Sequence, residues 1–196
     1  MNQGEKLMTE TESMQLISSM INKAKNRFSE TGMLYLFWGW LVLICCLVQF
    51  TALYFFQNQN ANYIWYLTWI APIYQIIYLR RLKKKRTVKT YTEEIIGYVW
   101  FVFIICITLF VFTLIFLKAY LCINPAVLIM YGMPTFLSGV ILKFKPLRVG
   151  AICCWILCIP AVTVAYEFQF LFISLAVILA WIIPGYLLKA KFKKEN

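Results

Sequence analysis

Six stretches of this chain contain no Asp, Glu, Lys, Arg or His at all: 33–56, 63–79, 95–117, 125–142, 149–166 and 168–188. An α-helix needs about 20 mostly apolar residues to cross the hydrocarbon core of a bilayer, and shorter runs of about 17 reach its lower limit. Backbone polar groups inside the core must be paired within their own segment, which favours helices over irregular chain. The pattern therefore predicts an all-α membrane protein with six transmembrane helices in three hairpins. Composition agrees: 62% of the residues are hydrophobic and 14% charged, against about 25% charged in soluble domains.

The charges between the runs predict an orientation. All the basic residues except Lys118 fall in the N-terminal segment, the loops after the second and fourth runs, and the C-terminal tail. Short loops rich in Lys and Arg stay in the cytoplasm, so both termini are expected inside a bacterial inner (cytoplasmic) membrane. This placement accounts for the net charge of +11 without a nucleic-acid partner. Arg80, Arg81, Lys83, Lys84, Lys85 and Arg86 are candidate contacts for anionic lipid headgroups.

The domain reading is a cytoplasmic amphipathic helix within residues 1–32, a six-helix domain over 33–188, and a basic tail at 189–196. Thr9 and Glu12 fit a capping box at the start of the first helix. Met14, Ile17, Met20, Ile21, Ala24 and Phe28 share one face. Ser29 to Gly32 reads as a break before the first span. Lys118 to Asn124 reads as a turn, with Pro125 opening the fourth span. The segment 10–28 has three readings: it lies on the membrane surface, folds over the protein's own inner face, or pairs with a partner protein.

The even-numbered runs share a spacing: Trp69-x-x-Pro72-x-Tyr74, Tyr131-x-x-Pro134-x-Phe136 and Trp181-x-x-Pro184-x-Tyr186. Proline removes one helical hydrogen bond and bends its helix. Three bends at one depth could surround a wider inner cavity, or they could serve packing. Thr135 and Gly139 form a small-xxx-small pair suited to close helix approach. Gln49 and Gln75 are interior polar candidates, each expected to face another helix, with pore or ligand contact as the alternative role.

The chemistry that is missing narrows the function. Every acidic residue is Glu, and there is no His. Proton relays, ion-coupled transport and voltage sensing usually need ionisable groups within the membrane, and none stands in a run. Cys45, Cys46, Cys106, Cys153, Cys154 and Cys158 lie in apolar runs and read as small hydrophobes. A soft-metal site with Met130 and Met133 is the alternative, but CxxC spacing is lacking. No catalytic, cofactor-binding or metal site is expected. Glu93, Glu94 and Glu167 have no evident base or metal partner.

The segments ISSMINKAK, WGWLVLI, GMPTFLSG and KFKPLRVGAICCW resemble those of uncharacterised six-span integral membrane proteins of Bacteroides-type bacteria. The resemblance covers most of the chain. It implies an inner-membrane location and carries no activity. The expectation is a non-enzymatic membrane protein that binds a partner protein or lipid in a sensory or regulatory role. The alternative is an uncoupled transporter or channel for an apolar or neutral solute.

Overall fold

The computed structural model describes the backbone of residues 10–83 and 91–194, and the side chains of residues 32–58, 60–78, 80 and 94–191. Helix α1 spans Glu10–Tyr54 and leads into a 3₁₀ helix at Gln59–Trp65. Then follow α2 (Tyr66–Lys83), α3 (Tyr91–Phe116), α4 (Tyr120–Ile141) and α5 (Lys145–Ala161). A final rod contains α6 (Tyr166–Val177), a π-helical segment (Ile178–Ile182) and α7 (Ile183–Lys194). The described residues contain no strand.

Four helical stretches are long and apolar enough to cross a membrane: Gly32–Tyr54, Glu94–Phe116, Tyr120–Ile141 and Tyr166–Lys191. This is consistent with an integral membrane protein. Along α3, Phe101, Leu109, Phe112 and Phe116 are exposed, an apolar surface larger than water tolerates on a soluble monomer. Helices α2 and α5 are shorter, at 18 and 17 residues.

Three boundaries differ from the sequence reading. First, no break occurs at Ser29 to Gly32: α1 is continuous for 45 residues. Gly32 serves packing instead, since a Cβ there would stand 3.2 Å from the Gly185 carbonyl oxygen on α7. Second, the turn after α3 is shorter than Lys118 to Asn124. Lys118 adopts φ 56°, and its N–H and that of Ala119 reach back to Ile115 and Leu114. These bonds close the end of α3 as a Schellman-type cap, and α4 starts at Tyr120. Third, Lys145 and Arg148 lie in α5 rather than a loop. Pro146 sits in the first turn, where its missing N–H costs nothing. Lys143, at φ 51°, ends α4 with the same pair of backbone bonds, from itself to Val140 and from Phe144 to Gly139.

The core lies where the final rod is enclosed by α1, α4 and α5. Val42 and Cys46 of α1, Leu128 of α4, Leu147 and Cys154 of α5, and Phe170, Ile173 and Val177 of α6 are buried together. Helix α3 packs on α4 through Trp100, Phe103 and Ile107. Helix α2 is peripheral, with Trp69, Ile70, Ile73 and Tyr74 all exposed.

Candidate functional site

The structural centre is the π-helical segment that carries Trp181. Its origin is Pro184. A proline ring collides with the carbonyl four residues back and offers it no N–H. Here the turn before it is widened, and Ile183 N–H bonds Ile178 O, five residues back. Such π insertions often mark functional positions. The wide turn sends Trp181 into the core, where its ring centroid lies 4.6 Å from that of Tyr131. The Trp181 indole N–H donates to Thr135 Oγ1 at 2.9 Å. Thr135 in turn donates to the Tyr131 carbonyl at 2.7 Å. Trp100 lies 5.9 Å from Trp181 and 5.8 Å from Tyr35. One aromatic chain thus joins α1, α3, α4 and the final rod.

Two of the three aromatic-proline motifs therefore meet, and Pro134 and Pro184 are both fully buried. The third does not join them. Trp69 is exposed and Pro72 partly so, because α2 stands outside the core. At the meeting of the two central motifs the Tyr131 and Trp181 rings are in contact.

Glycines set how closely the other helices approach this segment. A Cβ on Gly39 of α1 would lie 2.7 Å from Ile182 Cγ1, and one on Gly150 of α5 would lie 2.5 Å from Ala180 Cα. Gly132 and Gly139 of α4 do the same toward α5, at Trp155 and Arg148. The Trp155 indole N–H also donates to Ile129 O at 3.2 Å. Gly139 is thus a packing position, with the backbone of α5 directly above it.

Besides the Thr135–Trp181 pair, Ser174, which donates to Phe170 O, and the buried, unpartnered Arg148 Nε, three sets of buried polar groups stand out. Gln49, fully buried, donates to Asn62 Oδ1 at 2.8 Å and leaves its own Oε1 unpartnered. Gln169 donates to Leu121 O at 3.1 Å. That carbonyl is the one that Pro125, four residues on, cannot serve. Asn124 Nδ2 and Gln169 Oε1 are buried without partners. In the third set Ser138 and Trp100 flank the Tyr35 hydroxyl, but no hydrogen bond of good geometry joins Tyr35 Oη to Ser138 Oγ. These hydroxyls, amides and indoles can bind neutral polar groups and carry no charge. Among the described residues no group of three His, Cys, Asp or Glu is placed to hold a metal ion. All seven cysteines are free, and Cys45, Cys46, Cys154 and Cys158 are buried.

Residues 38 to 40 address three neighbours. The Trp38 indole donates to Gln75 Oε1 at 2.6 Å and so ties α2 to α1. Gly39 faces the π segment, and Trp40 lines an open apolar groove of about 460 Å³ with Met33, Phe37, Leu41, Ile44 and Leu67. Gln49 and Gln75 each bond a neighbouring element. Arg80 is exposed at the end of α2. The side chains of Arg81 and Lys83, together with Lys84, Lys85 and Arg86, lie outside the described residues, as do Thr9 and the side chains of 10–28. No protein-family model, curated protein or solved structure matches the chain.

Sequence reasoning missed Tyr35, Trp100, Gly39 and Gly150 as core contacts, and it missed the π segment. The usable signal was the glycines: each interrupts an uncharged apolar run, where small residues let helices approach closely.

Proposed function

We propose that this is a non-enzymatic integral membrane protein that binds a partner protein or lipid through its basic face and acts in a sensory or regulatory role. One observation carries the reading: α1 is a single helix from Glu10 to Tyr54. At 1.5 Å per residue its 45 residues extend about 67 Å, more than twice the roughly 30 Å of a hydrocarbon core. Its apolar, span-length part begins at Gly32. The 22 residues before it continue the same helix for about 33 Å. Binding at residues 10–28 would bear directly on the helix whose Gly39 touches the π segment. The proposal includes six spans in three hairpins, with α2 and α5 crossing alongside the four longer stretches. It also includes cytoplasmic termini, a bacterial inner-membrane location and kinship with the Bacteroides-type six-span proteins.

The transport alternative needs a polar or aromatic path to the midplane lined by Gln49 or Gln75. Gln49 is bonded to Asn62 and Gln75 to Trp38, and the Tyr131 and Trp181 rings of the two central motifs are buried against each other. These contacts favour the first reading. The test is purification of the full chain, and of a chain lacking residues 1–29, from native membranes in mild detergent, with mass spectrometry of bound proteins and lipids. A partner held by the full chain and lost by the shortened one supports docking through α1. Identical profiles with one enriched small solute would replace it with transport.

A further inference from the structure

The groove along α1 has dimensions that select an occupant. It follows Met33, Phe37, Trp40, Leu41 and Ile44, and Leu67 borders it from α2. Met33 to Ile44 covers about 16 Å of helix. Half of a hydrocarbon core is about 15 Å, so the groove is one leaflet deep. It is an open surface depression rather than an enclosed cavity, so an occupant needs no opening motion to enter.

Its two ends differ. At the Met33 end the Tyr78 hydroxyl meets Met33 Sδ at 3.2 Å, and Arg80, two residues further along α2, is exposed. The backbone nitrogen of Lys189 approaches the Cβ position of Gly32 to 3.5 Å, and Lys189 is exposed as well. Arg80 and Lys189 therefore stand on different helices near the level of Met33 and Gly32. The other end, at Cys45 and Leu67, lies toward the neutral Gln49–Asn62 pair.

We propose that the groove holds one acyl chain of an anionic phospholipid, with the headgroup phosphate at the level of Arg80 and Lys189. This site is within the membrane-facing part of the chain and stands independently of docking through residues 10–28. The Trp38–Gln75 bond and the Phe37–Tyr74 contact, with ring centroids 5.6 Å apart, hold α2 beside the groove. A lipid seated there would contact the same α1 segment that carries Gly39 against the π segment. Each nearby Lys or Arg is expected to favour an anionic headgroup about five-fold.

The test uses the full chain in phosphatidylcholine vesicles containing a trace of phosphatidylglycerol or phosphatidylcholine with a diazirine on one acyl chain. After illumination, peptides are mapped by mass spectrometry. Exposed α3 reports ordinary lipid contact in the same sample. The phosphatidylglycerol probe should label residues 33–45 several-fold more than α3. Ile44→Trp combined with Leu67→Trp, both at exposed positions, should abolish that excess and leave α3 labelling unchanged. Arg80→Gln with Lys189→Gln should reduce phosphatidylglycerol labelling to the phosphatidylcholine level. Groove labelling no greater than that of α3, or unaffected by the tryptophans, overturns the site. Equal labelling by both headgroups in the unaltered chain overturns the anionic assignment. Protein–protein cross-links through residues 33–45 would give the groove to a second copy and overturn the lipid.

Discussion

Replacing Gly150 with alanine tests how the bundle is held together. The added methyl would stand 2.5 Å from Ala180 Cα and 2.7 Å from Leu179 O. Ordinary contacts at such a carbon begin near 3.4 Å, so α5 and the π segment must separate by nearly 1 Å. Both obstructing atoms are backbone, and no side-chain rotation relieves them. Overpacking of this kind costs about 1–3 kcal/mol, here toward the upper end. Alanine recovers up to about 1 kcal/mol of helix propensity. The net expectation is a loss of about 2 kcal/mol. For a chain of this size that is roughly 4–8 °C in thermal midpoint. The assay is thermal unfolding in mild detergent followed by near-ultraviolet circular dichroism. Gly97→Ala is the control, because a Cβ there meets nothing within 4 Å. It should leave the midpoint unchanged or raise it by a few degrees. A Gly150→Ala protein as stable as the parent would refute the close α5–rod contact.

Four further outcomes follow from particular contacts. Gln169→Leu should cost about 1–3 kcal/mol by leaving Leu121 O unpaired; adding Pro125→Ala, which supplies a backbone N–H, should recover part of that loss in the same unfolding assay. Trp181→Phe keeps the ring but removes the donor to Thr135, at a cost of about 1 kcal/mol; a double-mutant cycle with Thr135→Val should show coupling, and additive losses would exclude the bond. Lys118→Gly and Lys143→Gly should each stabilise by up to about 1 kcal/mol, because both residues hold left-handed backbone that glycine adopts freely. Gln75→Leu should accelerate amide hydrogen exchange in α2 while sparing α4 and α5, since the Trp38 bond is one of the few ties holding α2; uniform exchange across the bundle would show that α2 is part of the core.

The helices were legible because uncharged apolar runs leave few alternatives. The joints between them were harder to read. Gly32 looked like a helix stop, and a glycine at a helix end has the same letter as one pressed against a neighbour. Only the position of Gly185 O distinguishes the two. Pro125 suggested a helix start, yet it sits inside α4 because Gln169, far along the chain, serves the carbonyl that it leaves unpaired. The three aromatic-proline motifs share one spacing and differ in surroundings. Spacing predicted a common depth, while membership in the core was decided by which helices flank each motif. The buried polar candidates were better marked: Gln49 and Gln75 are costly to leave unpaired in apolar surroundings, and each lies against another element. Their partners, Asn62 and Trp38, could not be read from local sequence.

The first helix finds its main partner in the last. Gly32, Leu36 and Gly39 rest on Gly185, Ile182 and their neighbours, whereas α4 and α5 pack together across a short turn. During synthesis the α4–α5 hairpin can therefore close as soon as it emerges. The glycine face of α1 must wait until Ile182 and Gly185 have been made. A chain that stops before Ile178 offers α6 to α1 but leaves the glycine face of α1 without its mate. Such a fragment exposes Gly32 and Gly39, and incompletely packed segments of this kind are the ones that open and aggregate most readily.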